Sequence, residues 1–253
     1  MGTGQSLLEV GDLTVSFDGF KALNALSFVM YEGQLTVIIG PNGAGKTTLL
    51  DVVTGRTRAD TGSIVFDGHD IAGLADYRIA RLGIGRKFQT PSVFPDLTVM
   101  ENLTLAGRRS KSVFGTLFKR VSADDRARLD DVLHTIGLER RGGDAAGALS
   151  HGERQWLEIG MVLAQRPKLM LIDEPIAGMT AQEAARTADI LRRISGTCSV
   201  LVVEHDMEFV KQIAERVSVF HQGSLLIEGS FERVSADPRV KEVYLGKDTH
   251  HGE

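Results

Sequence analysis

Gly40-Pro41-Asn42-Gly43-Ala44-Gly45-Lys46-Thr47 is the stretch that decides the fold, because it fits the pattern G-x-x-x-x-G-K-[ST]. In that pattern the backbone amides of a glycine-rich loop surround a nucleotide phosphate. The glycines allow the tight bend. The Lys46 ammonium faces the β- and γ-phosphates, and the Thr47 hydroxyl is a ligand for Mg²⁺. The sequence therefore predicts a nucleotide site that takes Mg²⁺.

The segments on either side of this loop support the same interpretation. Residues 34–39 form a β-branched apolar run that predicts a buried strand, and residues 47–53 predict a helix that stops at Gly55. The loop would then sit at a helix N-terminus, where the partial positive charge favours phosphate. A glycine-rich turn without a ligand is the alternative, and the flanking strand and helix count against it.

Composition limits the class of protein. The chain has 253 residues, of which 42% are hydrophobic and 25% charged, as in a soluble globular protein of one or two domains. A net charge of −4 gives no general electrostatic reason to bind nucleic acid. No apolar run is long enough to span a bilayer, so we expect any membrane association to come through a partner. The single Cys198 allows no internal disulfide, and the N-terminus lacks the features of a signal peptide, which predicts a cytoplasmic protein.

The order of predicted elements indicates an α/β fold with a largely parallel sheet. Strands are predicted at 7–17, 24–31, 34–39, 63–66, 169–172, 199–203 and 217–220, and helices at 47–53, 99–108, 123–136, 153–164, 181–194 and 207–214. The early strands, separated by glycine turns, predict an antiparallel β subdomain. The strands are interrupted in the middle of the chain, which predicts an inserted helical subdomain at 89–165. The core would comprise 1–88 and 166–246, with a tail at 247–253.

A pair of carboxylates follows a second apolar strand, in Leu169-Met-Leu-Ile-Asp-Glu-Pro175. In a phosphate-loop protein the first acid, Asp173, can organise the Mg²⁺ shell. Glu174 is then placed to polarise a water against the γ-phosphate, which makes it the candidate general base.

Residues Leu149-Ser-His-Gly-Glu-Arg-Gln155 precede an apolar helix and contain a capping box, Ser150-x-x-Glu153. One interpretation is that Ser150 only caps its own helix. A helix N-terminus with a serine and a glycine is also suited to bind a phosphate from outside. The segment resembles the Leu-Ser-Gly-Gly-Gln signature of ATP-binding-cassette (ABC) ATPases, with His151 in place of a glycine and Glu153 in place of the glutamine.

Further segments extend this resemblance over nearly the whole chain. Phe17 is similar in position to the aromatic residue that stacks on adenine, and Gln89 resembles the Q-loop glutamine. His205, in Val203-Glu-His-Asp206, resembles the switch histidine. Taken singly, each has a structural alternative: core packing for Phe17, a solvated loop residue for Gln89, and an ordinary histidine after a strand for His205.

The resemblance implies an ATPase in which two cassettes meet head to tail around ATP. ATP would be bound in one cassette by Phe17 and by Gly40, Pro41, Asn42, Gly43, Ala44, Gly45, Lys46, Thr47 and Thr48, and capped by Ser150, His151, Gly152 and Glu153 of the other. Catalysis is expected from Glu174, His205, Gln89 and Lys46, and Mg²⁺ ligation from Thr47, Gln89 and Asp173. The second ATPase subunit would be identical or different.

Within the ABC family, residues 83–102 resemble importers of the branched-chain amino-acid group. Leu149-Ser-His-Gly, Gln155-Trp-Leu-Glu-Ile-Gly-Met161 and Glu174-Pro-Ile-Ala-Gly-Met-Thr180 resemble the urea-importer ATPase within that group. A urea importer is therefore the favoured prediction, and a branched-chain amino-acid importer is the alternative. An exporter, a lipid-transfer ATPase and a non-transport ABC protein fit less well.

The resemblance also implies where the protein works and with what. We expect two permease subunits, an indirect link to an extracytoplasmic solute-binding protein, and a peripheral position on the cytoplasmic face of the inner membrane. One departure bears on communication between the two ATP sites, because Thr180 stands where many relatives carry an aspartate.

Overall fold

The computed structural model describes residues 5–87, 93–107 and 122–245. The first part of the chain contains β1 (Ser6–Phe17), β2 (Phe20–Tyr31), β3 (Leu35–Ile39), α1 (Lys46–Val53), β4 (Thr61–Phe66), β5 (His69–Asp70), α2 (Asp76–Leu82) and β6 (Ile84–Arg86). The middle contains α3 (Val99–Gly107), α4 (Ala123–Thr135) and α5 (His151–Leu163). The last part contains β7 (Leu169–Asp173), α6 (Ala181–Ser195), β8 (Ser199–Val203), α7 (Met207–Ile213), β9 (Arg216–His221), β10 (Ser224–Gly229), α8 (Phe231–Ala236) and α9 (Pro238–Leu245).

The central sheet has six strands in the order β10-β9-β3-β8-β7-β6. β3 pairs in parallel with β8 and β9, β7 pairs in parallel with β8 and β6, and β10 is the antiparallel edge strand. The prediction of an α/β fold with a largely parallel sheet is confirmed. Because the carboxyl ends of parallel strands lie on one side, the loops after β3, β7 and β8 are brought together.

The second sheet is antiparallel, with the order β2-β1-β4-β5, as predicted for the N-terminal strands. The β1–β2 hairpin turns at Asp18 and Gly19, whose φ angles of 48° and 86° belong to the left-handed region. Positive φ at both central residues is the geometry of a two-residue hairpin turn. The turn therefore fixes the register that places Phe17 opposite Phe20.

The central sheet is covered on both faces, which explains why its inner strands are continuously apolar. Along β3, Leu35, Val37 and Ile39 belong to one hydrophobic cluster and Ile38 to the other, since successive side chains point to opposite faces. The first cluster is completed by helices α3 to α7, and the second by α1 and the antiparallel sheet. The central sheet is therefore packed between two hydrophobic clusters, which fix the positions of the loops that follow its strands.

In the sequence, the three middle helices come between β6 and β7. These two strands pair with each other in the sheet. Contacts join α3, α4 and α5 to one another, and α5 also touches α6. Their apolar residues, such as Leu103, Leu133 and Trp156, share a cluster with the sheet. The subdomain bounds at 89–165 stay a prediction.

Some elements were not predicted from the sequence, for local reasons. β6 has only three residues and contains Gly85, and α2 buries only Ile79, so neither offers a periodic pattern. β10 is half-buried along its whole length, as an edge strand, and α8 has six residues. Within the described ranges, no helix combines the length and apolar character that crossing a membrane requires.

Candidate nucleotide site

The phosphate loop is held so tightly that glycine is required at two of its positions. Gly40 follows β3 with φ 151°, and a Cβ atom there would lie 2.2 Å from the Phe220 carbonyl oxygen. Gly45, with φ 95°, precedes α1, and a Cβ there would lie 2.5 Å from the Ala22 carbonyl oxygen. Contacts below 3 Å exclude a side chain, so these glycines let the backbone pass between β9 and β2.

The outer part of the loop faces solvent and is open to a ligand. Asn42, Gly43 and Thr47 are exposed, and no atom lies within 4 Å of the position that a Cβ of Gly43 would take. Lys46 Nζ donates to the carbonyl oxygens of Gly40 at 2.7 Å and Pro41 at 3.0 Å. The ammonium therefore lies across the loop, where a phosphate would meet it.

Ala44 is buried behind the loop, and Thr48 is half-buried in the first turn of α1. α1 has no side-chain cap and no acidic residue in its first turn. Its first amides and its partial positive charge are thus not neutralised by a carboxylate of that turn, which favours an anionic ligand at this end.

Asp173 ends β7 next to this helix, and the structure brings it together with Thr47. The Thr47 hydroxyl hydrogen-bonds the Asp173 carboxylate. Asp173 is 7% exposed, and this burial raises the pKa of its carboxyl group, against the opposing effect of the Arg86 guanidinium. A hydroxyl and a carboxylate side by side are oxygen ligands of the kind that Mg²⁺ prefers.

Glu174 and His205 lie at the ends of the adjacent strands β7 and β8. The Glu174 backbone amide donates to the Val203 carbonyl at 2.9 Å, and its φ of 47° turns the side chain out of the strand. Glu174 Oε1 lies 3.7 Å from His205 Nδ1, and both side chains remain about half exposed or more, at 48% and 66%. A carboxylate with this exposure is accessible to a water molecule.

At the start of α5, Ser150 and Glu153 form the predicted capping box. The Glu153 amide donates to Ser150 Oγ at 3.2 Å, and the Glu153 carboxylate accepts from the Ser150 amide at 2.9 Å. Arg141 Nη1 also pairs with Glu153 at 2.9 Å. A Cβ at Gly152 would lie 2.5 Å from Glu183 Oε1, so this glycine allows α5 to approach α6. The capping interpretation of Ser150 is confirmed, and binding of a partner's phosphate stays a prediction.

His151 and Thr180 have partners within the chain. His151 Nε2 lies 2.8 Å from Gln155 Nε2 and 3.3 Å from the Ala177 carbonyl oxygen. Thr180 is the N-cap of α6 and forms a second capping box with Glu183. The hydroxyl at position 180 therefore stabilises a helix start, as an aspartate there would.

Phe17 lies at the tip of the β1–β2 hairpin and is 49% exposed, so it is not a core residue. The hairpin is joined to the phosphate loop through Gly223: the Asn24 amide donates to the Gly223 carbonyl at 2.9 Å, and the Gly223 amide donates to the Ala44 carbonyl at 3.2 Å. An exposed aromatic ring on a hairpin that is joined to the phosphate loop is consistent with stacking on a base. Gln89 lies outside the described residues.

Two buried charged residues at the site were missed by the sequence reasoning. Arg86, at the end of β6, bridges the carboxylates of Asp51 and Asp173, the latter at 3.6 Å.

Glu204 is 1% exposed, and its carboxylate accepts from the amides of His205 at 2.8 Å, Asp206 at 3.3 Å and Ile176 at 3.5 Å. For Glu204, the available signal was a charged residue directly after the apolar strand β8, whereas β6 is too short to mark Arg86 in this way.

Comparison with known proteins gives a consistent result. The family model described as ABC transporter matches residues 23–177. The high-affinity branched-chain amino acid transport ATP-binding protein BraF of Pseudomonas aeruginosa is 34% identical over 250 residues, covering 95% of this chain and 98% of the relative. LivG of Escherichia coli K12, which carries the same description, is 32% identical over 252 residues, covering 96% and 99%. The crystal structure of the ADP conformation of an ATP-binding cassette of an ABC transporter matches with a TM-score of 0.83 and 32% identity, covering 96% and 99%.

Proposed function

Since the chain belongs to the ABC transporter family and has its ATPase fold, we propose that it is the ATP-hydrolysing subunit of a solute importer of the branched-chain amino-acid group. One observation supports this proposal. The phosphate loop, the Thr47–Asp173 pair, Glu174 and His205 all lie at the carboxyl ends of the three neighbouring parallel strands β3, β7 and β8.

In the proposed reaction the chain positions the phosphates of ATP and a single water molecule. The loop amides and the Lys46 ammonium hold the phosphates, and Phe17 stacks on the base. Glu174 takes the proton of the attacking water, and His205 contacts the γ-phosphate. ADP and inorganic phosphate leave. Buried Glu204 holds the backbone of His205 in place, because its carboxylate accepts a hydrogen bond of 2.8 Å from the His205 amide.

Mg²⁺ fits the residues present. Thr47 and Asp173 would hold it, and when bound it neutralises charge on the phosphate oxygens of ATP. The Thr47 hydroxyl interacts with the Asp173 carboxylate, so two oxygen ligands of the kind that Mg²⁺ prefers lie side by side. The Arg86 guanidinium, 3.6 Å from the Asp173 carboxylate, gives this buried negative charge a positive partner.

A second cassette is part of the proposal because Ser150, His151, Gly152 and Glu153 at the start of α5 resemble the signature that binds the ATP held by a partner cassette. The N-terminus of α5 has its own capping box, and the partial positive charge of a helix N-terminus favours an anionic group at this end. Closure of the pair would be favoured only by the extra affinity that Ser150 to Glu153 give to ATP across the interface. Two permease subunits would use that motion, with the ATPase bound peripherally at the cytoplasmic membrane face.

The transported solute is proposed from the relatives. BraF and LivG are both described as branched-chain amino acid transport proteins, and each aligns with almost the whole chain. They support the branched-chain amino acid alternative better than the favoured prediction of urea. Urea stays as a second candidate, because segments 149–161 and 174–180 resemble the urea-importer ATPase and lie around one contact network at His151.

Reconstitution with the permeases, the second ATPase and the solute-binding protein in liposomes tests both levels of the proposal. We expect Mg-ATP hydrolysis that is stimulated by leucine, isoleucine or valine. Stimulation by urea alone would replace the amino-acid proposal with the second candidate. Absence of hydrolysis in the full assembly, or full-rate hydrolysis by a single isolated subunit, would overturn the proposed mechanism itself.

A further inference from the structure

Three segments of the chain that bear on ATP chemistry meet at the side chain of Gln155. Gln155 lies on α5, five residues after Ser150. It contacts Lys87, which follows β6, and the carbonyl of Ala177, which lies between Glu174 and Thr180. These partners are 68 and 22 residues away in sequence, so the contacts join distant parts of the site.

Lys87 is the fixed end of this junction. It is 8% exposed, and its amide donates to the Leu171 carbonyl of β7 at 3.0 Å. Its ammonium lies 3.6 Å from the Glu158 carboxylate and donates to Gln155 Oε1 at 3.1 Å. Burial lowers the pKa of Lys87 and raises that of Glu158, and each partner opposes the shift of the other. The backbone of Lys87 is thus bonded to the sheet, and its ammonium contacts two residues of α5, Gln155 and Glu158.

The lysine determines which way the Gln155 amide points. A lysine ammonium has donors only, so the Gln155 oxygen faces it and the Gln155 nitrogen faces the other way. That nitrogen has two hydrogens and two neighbours, the Ala177 carbonyl at 3.1 Å and His151 Nε2 at 2.8 Å. His151 Nε2 then accepts from Gln155, which places the imidazole proton on Nδ1, and the 3.3 Å separation of Nε2 from the Ala177 carbonyl oxygen is then a contact of two acceptors and not a hydrogen bond.

From this geometry, and resting on the proposed function, we infer that Gln155 is a positioning residue that couples the signature helix α5 to the segment carrying Glu174. Both N–H hydrogens of its amide have an acceptor, and its oxygen accepts from Lys87. The Ala177 carbonyl that it binds belongs to a turn whose amide donates back to the Glu174 carbonyl at 3.3 Å. A shift of α5 on contact with a partner's ATP is therefore transmitted to the backbone of the general base.

The substitution Gln155→Glu tests the coupling, because a carboxylate still accepts from Lys87 but cannot donate to Ala177 or His151. In the reconstituted complex we expect kcat to fall roughly tenfold. The affinity of the isolated subunit for Mg-ATP should stay within about twofold, since no phosphate-loop contact changes. Gln165→Glu, at an exposed glutamine just after the same helix, is the matched control and should hydrolyse ATP at the wild-type rate.

A loss of Mg-ATP affinity in parallel with kcat, together with a lower Tm, would indicate general damage and overturn the positioning role. An unchanged kcat would overturn it as well.

A second measurement does not depend on transport or hydrolysis. Long-range ¹H–¹⁵N NMR of the intact subunit reports the tautomer of His151, and we expect the proton on Nδ1 in the wild type. The Gln155→Glu variant should move that proton to Nε2, because the carboxylate now requires a donor. A wild-type His151 with its proton on Nε2 would refute the junction even if the protein is an active ATPase. A correct tautomer in an assembly without ATPase activity would instead refute only the proposed function.

Discussion

The carboxylates of Glu174 and Glu204 both lie near Nδ1 of His205, at 3.7 Å and 3.6 Å, but one is exposed to solvent and the other is buried. The Glu174 side chain is 48% exposed, whereas that of Glu204 is 1% exposed. The buried carboxylate is occupied by backbone amides, so only the exposed one is free to take a proton from a water molecule. This difference in burial assigns separate tasks to two chemically identical groups.

Glu174→Gln should abolish turnover and leave nucleotide binding intact. The amide keeps the size of the side chain but cannot take a proton, and loss of a general base costs on the order of 100-fold or more in rate. The variant should also accumulate as an ATP-bound dimer. Phosphate release, binding of a fluorescent ATP analogue and size-exclusion chromatography measure the three effects. Glu208→Gln, at an exposed glutamate on α7, is the control. Robust hydrolysis by Glu174→Gln would exclude Glu174 as the base.

Lys46→Ala should act on binding itself. Lys46 Nζ already lies over the loop, bonded to the carbonyls of Gly40 and Pro41, so it meets the phosphates without moving far. A hydrogen bond to a charged group contributes about 1.5–3 kcal/mol, so the affinity for Mg-ATP should fall about tenfold or more. Isothermal titration with Mg-ATP measures this change. The control variant Lys21→Ala, on the exposed hairpin, should bind Mg-ATP with the wild-type affinity. A wild-type affinity for Mg-ATP in the Lys46→Ala variant would show that Lys46 does not bind the phosphates.

The phosphate loop and the long apolar strands of both sheets were predictable from the sequence because their signals are local. Buried strands such as β3 and β8 are apolar runs that can be recognised in the sequence. The loop pattern between β3 and α1 indicates phosphate binding by itself. The Asp173-Glu174 pair follows from the same logic, since it directly ends an apolar strand.

The long-range contacts of the site were not predictable in this way. Whether Arg86 faces Asp173, or Lys87 faces Gln155, depends on how strands and helices pack, and neither partner is near the other in sequence. The contact of His151 with Gln155 is within one helix, but its direction is set by Lys87. Sequence patterns give the residue types at a site, and tertiary packing gives their pairings.

Substitutions at two glycines of the loop should differ in how strongly they destabilise the fold. Gly40→Ala would place a Cβ 2.2 Å from the Phe220 carbonyl, so we expect a loss of about 2 kcal/mol or more in the free energy of unfolding. Gly43→Ala meets no atom within 4 Å and should cost only about 1–2 kcal/mol for its positive φ of 79°. Denaturant unfolding measures both. Equal losses for the two variants would contradict the close packing of Gly40 against β9.

Cys198 should be unreactive in the native protein. Burial raises the pKa of its thiol to about 11, and the residue is 8% exposed. At pH 8 only about one thiol in a thousand is ionised, and the thiolate is the reactive form. A chromogenic disulfide reagent should therefore give one equivalent in guanidinium chloride and almost none without it. Because the chain has one cysteine, the signal is unambiguous, and rapid native labelling would contradict the burial of this site.

Glu204→Gln should change how stability depends on pH. Burial raises the pKa of the Glu204 carboxyl above its ordinary value of 4.5, so the folded state favours the protonated acid more than the unfolded state does. The stability that this group contributes is complete below pH 4.5 and is lost as pH rises through the folded pKa. Wild type should therefore lose stability relative to Glu204→Gln above pH 4.5. The loss is about 1.4 kcal/mol for each unit by which the two pKa values differ. Guanidinium unfolding at pH 4, 6 and 8 measures the difference, with Glu208→Gln as the exposed control. A difference that stays constant or grows in favour of wild type with rising pH would show that the backbone amides, and not burial, control this carboxylate.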